Sequence, residues 1–197
     1  MSMSVVPVTL EGEHVRLEPM ESNHLDALAA AGGFEELWRL TTTRAVSRDE
    51  MSEYMKAALT DQSAGSALPF VTVDKASRRI VGSTRFGNID ASNRRAEIGW
   101  TWITPEFQRT YVNSEAKYLM LRHAFQVWEC VRVELKTDVL NLRSRAAMER
   151  IGATEEGILR KHALTQGGRY RDTIYFSILD TEWPAVRERL QSFLAGA

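Results

Sequence analysis

Two segments of this chain carry residue types at spacings that can do chemistry. The first, Trp100 to Glu115 (WTWITPEFQRTYVNSE), runs from a strand through a turn into the start of the longest central helix. Such a connection offers unpaired backbone N–H groups and the positive end of a helix to an anion, a usual way to hold a pyrophosphate. Asn113 or Ser114 is placed to cap that helix. From spacing alone, an ordinary strand–helix loop is the favoured reading of the segment. The second segment, Asn141 to Ala153 (NLRSRAAMERIGA), is again a helix after a strand. Asn141 and Ser144 lie one helical turn apart and can point the same way, although both residue types also serve simply as helix caps. The histidines, His14, His24, His123 and His162, show no metal-ligand spacing with a second histidine or a carboxylate, so no metal is expected. The single cysteine, Cys130, lies in an apolar setting that reads as a packing thiol.

The elements that must position these residues follow from periodicity. Val15 to Pro19 alternates as a strand. Ser22 is placed to cap a helix over His24 to Ala31, and Ser47 a second over Asp49 to Thr60. Phe70 to Val73 and Ile80 to Phe86 form a predicted hairpin. Arg94 to Ile103 alternates, with Ala96, Ile98, Trp100 and Trp102 on one face and Arg95, Glu97, Gly99 and Thr101 on the other. Helical spacing returns at Asn113, with Ala116, Met120, Ala124 and Val127 sharing a face and Lys117, Arg122 and Gln126 on the opposite side. Val131 to Thr137 is a strict period-two strand. Asn141 to Ile151 is a short helix stopped by Gly152. A hairpin around Gly167-Gly168 and an amphipathic helix over Glu182 to Leu194 complete the chain. Strands first in hairpins, then a β-α-β crossover, predict an α/β (α+β) fold: a mixed central sheet with helices on both faces.

Composition limits the function classes. The 197 residues are 44% hydrophobic and 26% charged, an ordinary globular balance and the size of one domain. With 26 acidic and 25 basic residues the net charge is -1, without the basic excess of a dedicated nucleic-acid binder. No run approaches a membrane span, Met1 to Leu10 carries no signal-peptide pattern, and one cysteine fits a reducing compartment. The expectation is a single domain over 1–197, with its core at about 10–190, in the cytoplasm, binding neither nucleic acid nor membrane.

Taken together, LEGEHVRLEP, AEIGWTWI, NSEAKYLMLRHAF, NLRSRAAMERIGATEEGILR and RDTIYFSILDTEW resemble the GNAT N-acetyltransferase superfamily, most closely its RimJ/RimL-type branch, over roughly Leu10 to Leu190. The resemblance implies a fold in which two central parallel strands splay apart, with acetyl-CoA in the V-shaped gap and no metal. Its pantetheine arm would pair with the backbone around Trp102 and Ile103. Its pyrophosphate would be held by the amides of Gln108, Arg109, Thr110, Tyr111, Val112 and Asn113, and Asn141 and Ser144 would face the thioester end. The sequence departs from the family's phosphate loop, because Tyr111 and Asn113 stand where glycines are common.

The same resemblance implies direct attack of an amine on the thioester, which requires a base, an oxyanion donor and an acid for the thiolate. Glu97 is the candidate base, directly or through a water, against the plainer reading of a glutamate paired with Arg94 or Arg95. The Trp102 amide is the candidate oxyanion donor. Other branches carry a tyrosine acid on the fourth helix; Met148 and its neighbours offer none, which leaves Ser144, with Tyr175 as the runner-up. In relatives the region of Trp38 and Thr41 to Arg44 frames the acceptor, so Trp38, Arg44 and Tyr175 are the expected acceptor-side residues; a Trp38 that packs the loop down instead of forming an exposed wall is an equally good reading of that residue. The implied activity is acetyl-CoA-dependent acetylation of a primary amine, foremost a protein or peptide N-terminus, by a monomer or homodimer. The alternatives are a small-amine or antibiotic acetyltransferase and a CoA- or peptide-binding protein without turnover.

Overall fold

The computed structural model describes residues 3–196. Strands β1 (Leu10–Glu11), β2 (Val15–Pro19), β3 (Leu68–Asp74), β4 (Arg79–Asp90), β5 (Arg95–Ile103), β6 (Arg132–Asp138), β7 (Thr154–Leu164) and β8 (Tyr170–Leu179) form one sheet in the order β1-β2-β3-β4-β5-β6-β8-β7. Helices α1 (Leu25–Gly32), α2 (Arg48–Ser63), α3 (Tyr111–Gln126), α4 (Leu142–Ile151) and α5 (Trp183–Leu194) cover it. Neighbouring strands are antiparallel except β5 and β6, which are parallel, as the crossover through α3 requires. The predicted mixed sheet with helices on both faces is what forms. One core cluster joins Phe86, Ile98, Leu119, Met120 and Phe176 with Val186 and Leu190 of α5. The other joins Leu28, Trp38, Met51, Tyr54 and Trp102 beside α1 and α2.

The feature that matters for function is where the parallel pair stops. Its register covers Arg95↔Arg132, Ala96↔Val133 and Glu97↔Glu134, and goes no further. Both strands continue, β5 to Ile103 and β6 to Asp138, so a wedge opens between them. A bulge in β5 accompanies the opening. Ser83 pairs with Trp102 but Arg85 pairs with Gly99, so Trp100 and Thr101 together face Thr84, and Trp100 takes a φ of 49°. Such a bulge bends its strand and increases the local twist. It also corrects the strict alternation expected of β5. Ala96, Ile98 and Ile103 lie in the α3-side core, whereas Trp102, with Trp100 packed beside it, belongs to the α1/α2 side.

Helix boundaries follow local chemistry. At α2 the Ser47 side chain accepts from the Glu50 N–H while the Glu50 carboxylate accepts from the Ser47 N–H, a complete capping box. Gly152 closes α4 with φ 97°, a left-handed conformation that glycine adopts without penalty. The expected Ser22 cap is not used: Ser22–His24 is a turn of 3-10 helix capped by Glu21, and α1 starts at Leu25. Glu115 of α3, buried, fastens the β1–β2 turn by accepting from the N–H groups of Glu13 (2.7 Å) and His14 (3.0 Å). Cys130 is buried as expected, and burial pushes its thiol up to about 11.

Candidate active site

The wedge is lined first by backbone. The Thr104 N–H donates to the Val81 carbonyl of β4 at 2.8 Å. Peptide groups alternate in direction along a strand, so those of Trp102 face β4 and those of Thr101 and Ile103 face the wedge. The Trp102 N–H, expected as a backbone donor in the gap, therefore faces β4 instead. The Trp102 and Ile103 side chains are both buried, on opposite faces. The Ile103 carbonyl accepts from Gln108 Nε2 at 2.8 Å, and Gln108 Oε1 accepts from Arg143 of α4 at 2.5 Å.

The wedge runs into the start of α3. Thr110, not Asn113 or Ser114, caps this helix: its hydroxyl accepts from the Val112 N–H and donates to the Phe107 carbonyl. Tyr111, Val112 and Asn113 thus form the first turn, where helix N–H groups lack intrahelical partners. The residue that takes the left-handed conformation in this loop is Arg109, with φ 64°; Tyr111 and Asn113 are helical and need no glycine. The Tyr111 side chain leaves the loop altogether. Its hydroxyl donates to Asp74 at 2.5 Å, which holds its pKa up at about 12, and its ring lies 4.9 Å from that of His14. Val112 is in the core. Arg143, on Gln108, and Arg150, 3.3 Å from Ser114 Oγ, add cations beside the turn.

Glu97 sits at the closed end of the wedge, 2% exposed. Arg94 and Arg95 are not its partners; they pair with Glu129 and with Asp90 and Glu134. Instead Glu97 Oε2 accepts from Asn88 Nδ2 (2.6 Å) and from Lys136 Nζ of β6 (2.8 Å), which leaves Oε1 as the available oxygen. Lys136 Nζ also lies 5.9 Å from the Trp100 ring centre and 5.6 Å from that of Tyr175. Tyr175, half-buried on β8 opposite Lys136, meets His162 edge-on at 5.8 Å.

Lys117 is the largest departure from the periodicity reading. It is 8% exposed, and its Nζ donates to Thr101 Oγ1 at 2.9 Å on the α3 side of β5. Burial drives its pKa down to about 7, opposed by the nearby Glu97 charge. The signal was present: Lys117 is three residues before Met120 and seven before Ala124, which places it on the apolar stripe.

Asn141 caps α4, its side-chain oxygen accepting from the Ser144 N–H at 3.1 Å, and both residues are half-buried. On the other side of the sheet, Trp38 takes the second of its two readings and packs the loop down instead of forming an exposed wall. It is 4% exposed, packs on Trp102 (5.5 Å) and Tyr54 (5.8 Å), and donates from Nε1 to the Gly32 carbonyl. Trp38 therefore shapes the loop from beneath. Arg44 is held by Glu35 and Glu50 and lines a cavity of about 540 Å³ with Asp49, Glu53, Tyr54, Arg85 and Trp100. Of the expected residues the structure gathers Gln108 to Asn113 at one end of the wedge and Glu97 at the other; Arg44 belongs to the neighbouring cavity. Asn88, Lys117, Lys136 and Arg85 are added to them. No group of three or more potential metal ligands occurs among the described residues.

A model of the acetyltransferase (GNAT) domain matches residues 14–154. The Bacillus subtilis (strain 168) protein named "Putative ribosomal N-acetyltransferase YdaF" is 38% identical over 104 residues, 53% of this chain and only 56% of that protein, so the match spans about half of this relative. An uncharacterized N-acetyltransferase, p20 of Bacillus licheniformis, is 26% identical over 89% of this chain and 98% of its own length. A GCN5-related N-acetyltransferase from Brucella melitensis superposes with a TM-score of 0.88 at 34% identity, covering 96% of this chain and 86% of that one. Mycobacterium smegmatis RimJ in complex with CoA-disulfide shares the fold, with a TM-score of 0.81 at 23% identity over 96% and 95% of the two chains. With a matched domain spanning most of its length and a splayed β5–β6 pair leading into the start of α3, this chain belongs to the GNAT acetyltransferase family.

Proposed function

We propose that the chain transfers an acetyl group from acetyl-CoA to a primary amine, with a protein or peptide N-terminus as the acceptor. The observation that carries this reading is the wedge: a β5 edge freed of its β6 partner, leading to the first turn of α3. The donor's chemistry fits these residues. An amide-bearing arm can pair with the peptide groups of Thr101 and Ile103, and a pyrophosphate suits the first-turn amides of α3 beside Arg143 and Arg150. The same fold accommodates CoA-disulfide in Mycobacterium smegmatis RimJ, and the name of YdaF supports a ribosomal-protein type of acceptor.

In this reading the amine nitrogen forms a bond to the acetyl carbon while the carbon–sulfur bond breaks. Glu97 takes the amine proton on Oε1, directly or through a water, while Asn88 and Lys136 hold Oε2 and fix the carboxylate. A backbone N–H of Thr101 or Ile103 meets the developing oxyanion, and Ser144 returns a proton to the thiolate. Incubation with acetyl-CoA and an N-terminal peptide, followed by a thiol reagent and peptide mass, tests this directly. Thiol release with a matching acetyl mass shift is expected. Binding of acetyl-CoA without thiol release would leave a ligand-binding protein.

A further inference from the structure

The cavity beside α2 has Arg85 of β4 in its wall. Arg85 is 3% exposed, a position arginine seldom occupies unless it is paired. Its guanidinium carbon lies 4.8 Å from the Trp100 ring centre and 5.2 Å from that of Tyr54. Those rings satisfy its faces but none of its five N–H donors. Among the described residues its ion-pair partner is Asp61, at a long 3.5 Å from a side chain that is 52% exposed, and Nε has no partner at all. A buried guanidinium with spare donors is a binding group for a planar oxyanion, which it can meet with two parallel N–H···O bonds.

We propose that this cavity binds a carboxylate carried by the acceptor, recognised by Arg85, so that the preferred acceptors are peptides with Asp or Glu at the second residue. The inference rests on the acetyltransferase reading and adds a specificity to it. Trp100 sets the scale: Arg85 Cζ and Lys136 Nζ lie 4.8 Å and 5.9 Å from its ring centre, so they are no more than 10.7 Å apart. Lys136 is ion-paired with Glu97. An amine at Glu97 and a carboxylate one or two residues away span that distance, at roughly 3.3–3.6 Å per extended residue. The rest of the wall favours the same placement. Arg44 is already held by Glu35 and Glu50, and Asp49 and Glu53 repel an anion while attracting the ammonium. Arg85 is the place left for a carboxylate.

The test uses a matched pair of peptides, Ser-Glu-Ala-Ala and Ser-Gln-Ala-Ala with amidated C-termini, on the full chain with acetyl-CoA. Thiol release gives kcat/KM and calorimetry gives peptide binding. A charge-assisted bidentate contact predicts about a 10- to 100-fold preference for the glutamate peptide, carried mainly by KM. Arg85→Gln is expected to erase that preference, and Asp61→Asn, which removes the competing carboxylate, to enlarge it. Equal kcat/KM on the two peptides in the wild type overturns the carboxylate site and leaves the transferase reading standing. Binding of the glutamate peptide that depends on Arg85, without acetylation of either peptide, overturns the transferase reading and keeps the site. Neither binding nor acetylation overturns both. If circular dichroism shows that Arg85→Gln does not fold, the exposed Asp61→Asn decides alone, and an unchanged preference refutes the proposal.

Discussion

Replacing Lys117 with methionine separates the cost of burying an ammonium from the contribution of packing. Methionine keeps a long unbranched chain and comparable helix propensity, and it removes the charge and the hydrogen bond to Thr101. An ordinary lysine titrates near 10.5, and Lys117 is driven by burial to about 7. At about 1.36 kcal/mol per pH unit, that difference corresponds to about 5 kcal/mol of stability. The direction follows from proton counting. Between about pH 7 and 10.5 the unfolded chain holds a proton on Lys117 that the folded chain has released, so wild-type stability rises with pH in this window. Below about pH 7 both states are protonated and the folded state bears the whole penalty. Lys117→Met is therefore expected to be more stable than the wild type by several kcal/mol at pH 6.5. Its advantage should shrink by about 3 kcal/mol between pH 7.5 and 9.5. Urea denaturation of both proteins across this range measures the gap, and titrating groups not coupled to Lys117 cancel in the difference. A gap independent of pH, or a variant less stable than the wild type at pH 6.5, would refute the argument.

Glu97→Gln is expected to lower turnover about 10²–10⁴-fold with acetyl-CoA affinity nearly unchanged; superimposable pH–rate profiles of equal height for the two proteins on an N-terminal peptide would remove Glu97 as the base. Ser144→Ala should lower kcat more than it weakens acetyl-CoA binding, whereas equal losses in steady-state kinetics and calorimetry would reduce Ser144 to a contact residue. Glu115→Ala leaves the N–H groups of Glu13 and His14 without their acceptor and should destabilise the fold by about 1–3 kcal/mol per group. A melting temperature within a degree of wild type would contradict that.

Much of this architecture could be read from periodicity because a one-sided burial pattern leaves a one-dimensional trace. The order of strands and helices, the Ser47 cap and the Gly152 stop are local features, and local rules found them. The β5 bulge is not local. Whether Trp100 and Trp102 share a face with Ile98 depends on how β5 registers against β4, which a single strand's alternation does not encode. The same slip hid which amides reach the wedge, so the Trp102 N–H turns out to face β4. Trp38 could be read either as a wall or as a packing residue, because a loop tryptophan carries no periodicity from which burial can be inferred. Partners far apart in sequence escaped altogether: Lys136 reaches Glu97 across strands that sequence reading could place side by side but could not register. Lys117 was a different kind of miss, since its helical spacing pointed inward and only its charge argued otherwise.

The three-pair seam at Arg95 to Glu97 makes this sheet, mechanically, two sheets hinged at one edge. The β1–β5 half and the β6–β8 half share few backbone hydrogen bonds, and their alignment beyond the seam depends on packing against α3 and α5. A molecule lying in the wedge and touching both halves acts as a missing strand and welds the two. Its binding free energy then appears as protection of amides on β5 and β6 at once, far from the start of α3 as well as beside it. The opening that makes room for chemistry thus leaves three residue pairs to join the two halves of the sheet.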